Sequence, residues 1–363
     1  AHLNRYSGLR YKVMMARERG AKGVLVVTGP NSPNAGELLP LTGDGSSADS
    51  GLPALSITGA MADRLLKSSG KNLKALQTAL DDENPQAEGG FALPGVKVSF
   101  TAGIEHIKKT DRNVLACIPG ETDEWIAVGA HYDHLGIAPD DEDGSDSDRI
   151  FNGAIDNATG CAVLLELARA WGSLKDRPPH PVLFAAVTAE EKGLLGSKYL
   201  GEHPPLPASQ ITLNLNFDSI APLGEPESVK LLGAKRLNFY PAVERIAKAF
   251  QYAIDPDSRP LAGSYYRSDH FSMARVGVPA FSVSLGDKFV GKTREWAQER
   301  NREYTAKDYH QPSDEFRDDM DFASSVAIAR FGMALGWQAL SLPKSIAWLP
   351  GDEFEVARRE RNP

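Results

Sequence analysis

The chain is 363 residues long, with 42% hydrophobic and 24% charged residues, an ordinary globular balance with length enough for a large core and two domains. A formal net charge of -8, from 40 Lys+Arg against 48 Asp+Glu, and the lack of any basic cluster argue against a nucleic-acid partner. No apolar run approaches the roughly 18 residues a membrane span requires. The sequence opens at Ala1 with no initiator Met and no signal peptide, so a processed or trimmed chain is expected.

Residues 1–95 form one compositional unit. A helix is expected over residues 11–20, then a strand over residues 23–27. Residues 30–50, rich in Gly, Pro, Asn and Ser, read as a long exposed loop. A second strand and helix follow in PALSITGAMADRLLKSSG, with Gly70 as the expected C-cap. The polar stretch over residues 81–90 reads as a hinge, and nothing in this unit looks catalytic.

From Val96 the pattern changes. Strands are expected over residues 96–101, 113–118 and 125–130, the last running into His131-Tyr132-Asp133-His134. The acidic loop DDEDGSDSD fails the EF-hand pattern, because Pro139 and Ile150 would fall at the first and twelfth ligand positions, so a solvated loop is expected. Asn152 to Gly160 (NGAIDNATG) leads into a helix over residues 161–171. Next comes VLFAAV, a run suited to a strand buried on both faces, with Glu190-Glu191 just past its end. A strand over residues 211–217 ends at Asp218. Beyond it are a helix over 241–250, a strand over 280–285 and a last helix over 322–340. Alternation of this kind predicts an α/β fold with a mixed, mainly parallel sheet sandwiched by helices. Cys117 and Cys161 sit in apolar contexts and read as buried small hydrophobes; without a CxxC spacing they exclude a thiolate metal site.

His131, Glu190, Glu191 and Asp218 each follow a predicted buried strand. A lone polar residue at such a junction is usually structural, and a lone Glu-Glu pair is usually a solvated turn. Several junctions of one hand would instead converge on one edge of the sheet, where open α/β folds keep their ligands. Imidazole plus carboxylate without thiolate suits Zn²⁺, with Mn²⁺ or Co²⁺ as substitutes. A two-metal site needs a bridging carboxylate and further ligands for each ion, and His131, Asp156, Glu190, Glu191, Asp218 and His310 supply that number with one Glu left as base.

The strings GAHYDHLG, NGAIDNATG, TAEEKGLLGSKYL, LNFDSI, SDHFSMARVGVPAFS and YHQPSDEF resemble the secreted di-zinc aminopeptidase family, which also includes the glutamate carboxypeptidases. KVMMARERGAKGVLVV and LPALSITGAMADRLL resemble the protease-associated domain of one branch of that family. The resemblance implies a smaller α/β protease-associated domain over 1–95, a lid or spacer, and a zinc-exopeptidase catalytic domain over 96–363. It implies that Asp156 bridges two zinc ions, that His131 and Asp218 complete one site, and that Glu191 and His310 complete the other. Glu190 would be the general base, and Asp133 would accept the other ring N–H of His131. Tyr309 would donate its hydroxyl to the oxyanion. His134 falls where relatives vary and is left out, and Arg267-Ser268-Asp269-His270 is read as structural or pocket-lining. The implied activity is an aminopeptidase acting on peptides, secreted or periplasmic. A carboxypeptidase or dipeptidase of the same family, using a cationic clamp with Arg267 as a possible member, is the alternative. A glutaminyl cyclase or a ligand-stripped receptor fits less well.

Overall fold

A computed structural model describes residues 9–39, 52–82, 84, 86–101, 103, 109–138, 148–257, 263–342 and 345–361. The expected loop at 30–50 and the acidic loop before Asp148 lie partly outside these residues. The chain divides into two compact units, Ala1–Lys109 and Thr110–Pro363.

In the first unit, helix α1 (Leu9–Glu18) precedes strand β1 (Val24–Val27), which pairs in parallel with β2 (Ala54–Ile57). Thr58 caps helix α2 (Gly59–Leu66) by accepting a hydrogen bond from the Met61 N–H at 3.3 Å. Gly70 adopts a left-handed conformation and closes the turn that follows, as a C-cap glycine does. Helix α3 (Leu73–Asp81) completes this unit. The alternation over residues 96–101 does not form a strand. Val98 is 47% exposed there, and a period-2 pattern without a partner ladder has nothing to hold it extended.

The second unit is built on a seven-stranded sheet. Its strands are β3 (Val114–Ile118), β4 (Trp125–His131), β7 (Val182–Val187), β8 (Ile211–Asn216), β9 (Ser228–Leu232), β10 (Ala253–Asp255) and β11 (Ala280–Leu285), in the spatial order β10-β9-β11-β8-β4-β7-β3. The centre, β7-β4-β8-β11, is parallel, while β3 and β9 run antiparallel to their inner neighbours. Strands β5 (Gly136–Ile137) and β6 (Ile150–Phe151) form a separate antiparallel pair. Val182, Leu183 and Phe184 of β7 and Ile211, Leu213 and Leu215 of β8 are all buried, as expected of central strands covered on both faces. Cys117, expected to be buried, is exposed, because β3 is an edge strand.

Helix α4 (Thr159–Gly172) lays Val163, Leu167 and Trp171 into the core, beside helix α9 (Ala323–Leu340), which brings Phe331 and Leu335. Each such fully buried side chain contributes about 1.5–3 kcal/mol of transfer free energy. Helices α5 (Leu195–Glu202), α6 (Tyr240–Ala249), α7 (His270–Arg275), α8 (Arg294–Lys307) and α10 (Glu355–Arg361) complete the unit. Helix α8 buries only Ala297 among its side chains and is otherwise polar. Among the described residues, no helix is long and apolar enough to cross a membrane.

Candidate active site

Three adjacent parallel strands set the site. His131 closes β4, Glu190 and Glu191 follow β7, and Asp218 follows β8, so the residues meet at the carboxyl edge of the sheet. Asp156 comes from the turn Ala154–Ala158 that feeds α4, and His310 from the segment after α8.

The backbone carrying these side chains is held by protein hydrogen bonds. Asn157 donates from Nδ2 to the carbonyls of His131 (3.3 Å) and Phe217 (3.1 Å), tying the ends of β4 and β8 together. Its Oδ1 accepts from the N–H groups of Gly160 and Ser219, both at 3.0 Å. A Cβ at Gly160 would lie 2.2 Å from that Oδ1, which explains the glycine closing NGAIDNATG. Asp314 accepts from the Ile155 N–H (2.9 Å) and the Asp156 N–H (3.0 Å), and the Tyr304 hydroxyl donates to it at 3.2 Å. The loop after β7 folds back through Gly196 N–H to the Thr188 carbonyl at 2.9 Å, and a Cβ on Gly196 would sit 2.1 Å from that oxygen. Ala189, Ser219 and His310 all adopt positive φ (55°, 53° and 59°), a strained backbone concentrated at the ligand-bearing turns.

His131 Nε2 lies 3.3 Å from Asp156 Oδ1 and 3.4 Å from Asp218 Oδ1. His310 Nε2 lies 3.1 Å from Glu191 Oε2 and 3.5 Å from Asp156 Oδ2. Asp156 thus turns one oxygen to each histidine. Ligand atoms of His131, Asp156 and Asp218 fall within 4.8 Å of one another, and so do those of His134, Asp156 and Glu191.

Burial opposes charge on His131, yet Asp156 and Asp218 hold its pKa well above the imidazole range. Asp156 and Glu191 raise His310 to about 9. Burial works against ionisation of Glu191 and Asp218, but the histidines, joined at Asp218 by Ser268 and Ser219, bring each to about 2. Burial, reinforced by Asp269, pushes Glu190 up to about 9. Cations held by these histidines and carboxylates would offset the negative charge gathered in a small volume and lower Glu190 toward the range of a working base.

All five residues expected as ligands, His131, Asp156, Glu191, Asp218 and His310, come together here, with half-buried Glu190 beside them. Tyr309 stacks on the His310 ring at 3.9 Å between centroids and is 37% exposed. Asp133 differs from expectation. The nearest acceptor to His131 Nδ1 is the Asp133 carbonyl at 3.1 Å, while its carboxylate stands 3.8 Å away. That carboxylate accepts instead from the N–H groups of Glu190 (3.0 Å) and Glu191 (3.3 Å), because the turn after β7 presents both amides to it.

His134, set aside on the sequence, belongs to the site: its Nδ1 lies 2.8 Å from Glu191 Oε1. Its signal was position, three residues after His131 in HYDH. Ser268 donates to Asp218 Oδ2 at 2.6 Å, and Asn157 and Asp314 stand inside quoted motifs, but their contacts cross too much of the chain to be read from it.

Fold and donor set place the protein among the α/β metallopeptidases. Residues 113–333 match the model for Peptidase family M28, and the chain belongs to that family. It is 26% identical over 310 residues to aminopeptidase YwaD of Bacillus subtilis, covering 84% of this chain and 54% of that protein. It is 27% identical over 251 residues to leupeptin-inactivating enzyme 1 of Streptomyces exfoliatus, covering 68% of this chain and 52% of that one. The solved structure of an aminopeptidase from Aneurinibacillus sp. strain AM-1 superposes with a TM-score of 0.54 at 22% identity, covering 95% of this chain and 69% of that chain, and shares its fold. The chain spans about half or less of the length of these curated relatives, down to 24% of a probable zinc metalloprotease from Pyrenophora tritici-repentis.

Proposed function

We propose that the protein is a metal-dependent exopeptidase, an aminopeptidase that hydrolyses the N-terminal bond of peptides with a pair of zinc ions. The observation that carries this reading is Asp156, whose two oxygens face two separate sets of ligand atoms. The donors fit zinc, being imidazole and carboxylate without thiolate, and Mn²⁺ or Co²⁺ suit the same set. The buried Nε2 atoms of His134 and His310 make no hydrogen bond, as nitrogens reserved for an ion would. His131 and Asp218 would hold one ion, Glu191 and His310 the other, with Asp156 shared and His134 at the second.

When bound, such ions supply Lewis acidity to the scissile carbonyl and lower the pKa of the attacking water. Glu190 takes the proton from that water and delivers it to the leaving amine. The Tyr309 hydroxyl donates to the developing oxyanion. Asp133 fixes the two glutamate amides and through them the direction of both carboxylates. The carboxylates of the centre hold the free α-amine of the substrate. On this reading residues 1–95 are a protease-associated lid or spacer, and the protein works outside the cytoplasm.

A panel of peptides blocked at one end tests the reading. The metal-loaded protein is expected to shorten C-amidated peptides from a free N-terminus and to spare N-acetylated ones. The reverse pattern replaces it with a carboxypeptidase, and activity that survives exhaustive chelation removes the metal mechanism.

A further inference from the structure

A cavity of about 620 Å³ opens beside Asp218 and Ser219, between the ends of β8 and β11 and one side of α8. Its volume suits a substrate side chain with room for solvent. Ile155, Leu285 and Phe289 give it apolar walls, but Lys230 of β9 also lines it. The Lys230 ammonium lies 3.7 Å from Asp287 Oδ1, too far for a hydrogen bond, and its side chain is only 19% exposed. Among the described residues no acceptor stands within bonding distance of its three donors.

The nearby anion has partners besides the lysine. Asp287 Oδ2 is flanked by Arg294 Nη1 at 3.6 Å and Gln298 Nε2 at 3.4 Å. Arg294 also binds Asp255 at 2.9 Å and so bridges the two aspartates, and Asp287 keeps that contact and the Gln298 amide when Lys230 turns to a guest. Arg302 also lines the α8 wall, paired among the described residues with Glu299 of its own helix. An aliphatic guest would leave the Lys230 donors desolvated and unpaired, and a basic one would set a further cation beside them. A guest carboxylate would complete them.

We propose that this cavity selects an acidic first residue, with the Lys230 ammonium as the anchor for a glutamate or aspartate side chain. The inference rests on the aminopeptidase reading for the direction in which the substrate enters.

The metal-loaded full chain is to be assayed on tripeptides that differ only in the first residue, glutamate, leucine or lysine. We expect kcat/KM for glutamate to exceed the others about tenfold, and Lys230→Met to lower the glutamate-to-leucine ratio about tenfold. Lys230→Glu is expected to turn the preference toward lysine. A wild-type preference for leucine or lysine, or a Lys230→Met variant that slows all three alike, overturns the assignment. Calorimetry with free L-glutamate and L-leucine on the wild-type protein gives a readout independent of turnover and of the variants' folding. Glutamate is expected to bind about tenfold tighter, and equal binding overturns the assignment. If no peptide with a free amine is hydrolysed, the aminopeptidase reading fails, and the calorimetric comparison still decides the cavity's preference.

Discussion

The two halves of the candidate metal centre are built differently. His131 sits on a central strand, its side chain 1% exposed, facing Asp156 and Asp218 from a rigid edge. His310 sits after a helix, its side chain 34% exposed, in a left-handed backbone conformation and stacked on a half-exposed tyrosine. The difference lies in the histidines, since Glu191 of the second half is as buried as the core, at 4% exposure against 19% for Asp218. Side chains fixed by sheet geometry give affinity, while those on loops permit access and exchange.

The largest effect belongs to Glu190, beside Glu191 in the turn after β7. Glu190→Gln is expected to lower kcat about a thousandfold with metal content near wild type, measured by peptide hydrolysis and elemental analysis. A fully active variant removes Glu190 as the base.

The comparison itself is tested by two alanines. His131→Ala leaves Asp156 and Asp218 facing each other without their buried partner. A loss of stability of about 3 kcal/mol is expected, read by denaturant unfolding, together with loss of metal at its half. His310→Ala is expected to keep one ion per chain and to change stability by less than about 1 kcal/mol, since its ring is partly solvated. Equal effects on stability would dissolve the distinction between the core histidine and the loop histidine.

A smaller effect sharpens it. Asp314→Ala removes the acceptor of the Ile155 and Asp156 amides without touching a ligand atom. Metal affinity is expected to fall ten- to a hundredfold by competition with a chelating dye, with the fold retained.

The legible parts of the sequence were those where one physical signal dominates. VLFAAV and AFSVSL are apolar runs between breakers, and the structure places strands over the same residues. His131, Glu190, Glu191 and Asp218 were legible because they follow such strands, where chain direction alone sends them to one edge, whereas Asp156 and His310 come from a turn and a loop and were found through the resemblance of their motifs. Helix α8 was not, because burying Ala297 alone leaves no amphipathic period to detect. Strands β9 and β10 lie toward one sheet edge and are short, and Cys117 is exposed for a similar reason of position. The alternation at residues 96–101 shows the opposite failure, a local pattern with no ladder to join. His134 and the turn of Asp133 toward two amides depend on how loops from β4 and β7 meet, and no window along the chain contains both.

The Asn157 side chain, spanning two strand ends, bears on how the molecule can be handled. It fastens the rim of the crevice with amide and carbonyl groups alone, independently of any cation. A preparation dialysed free of ions should therefore remain folded and accept different ions in turn, which would make this protein a practical vessel for comparing zinc, manganese and cobalt on one unchanged frame.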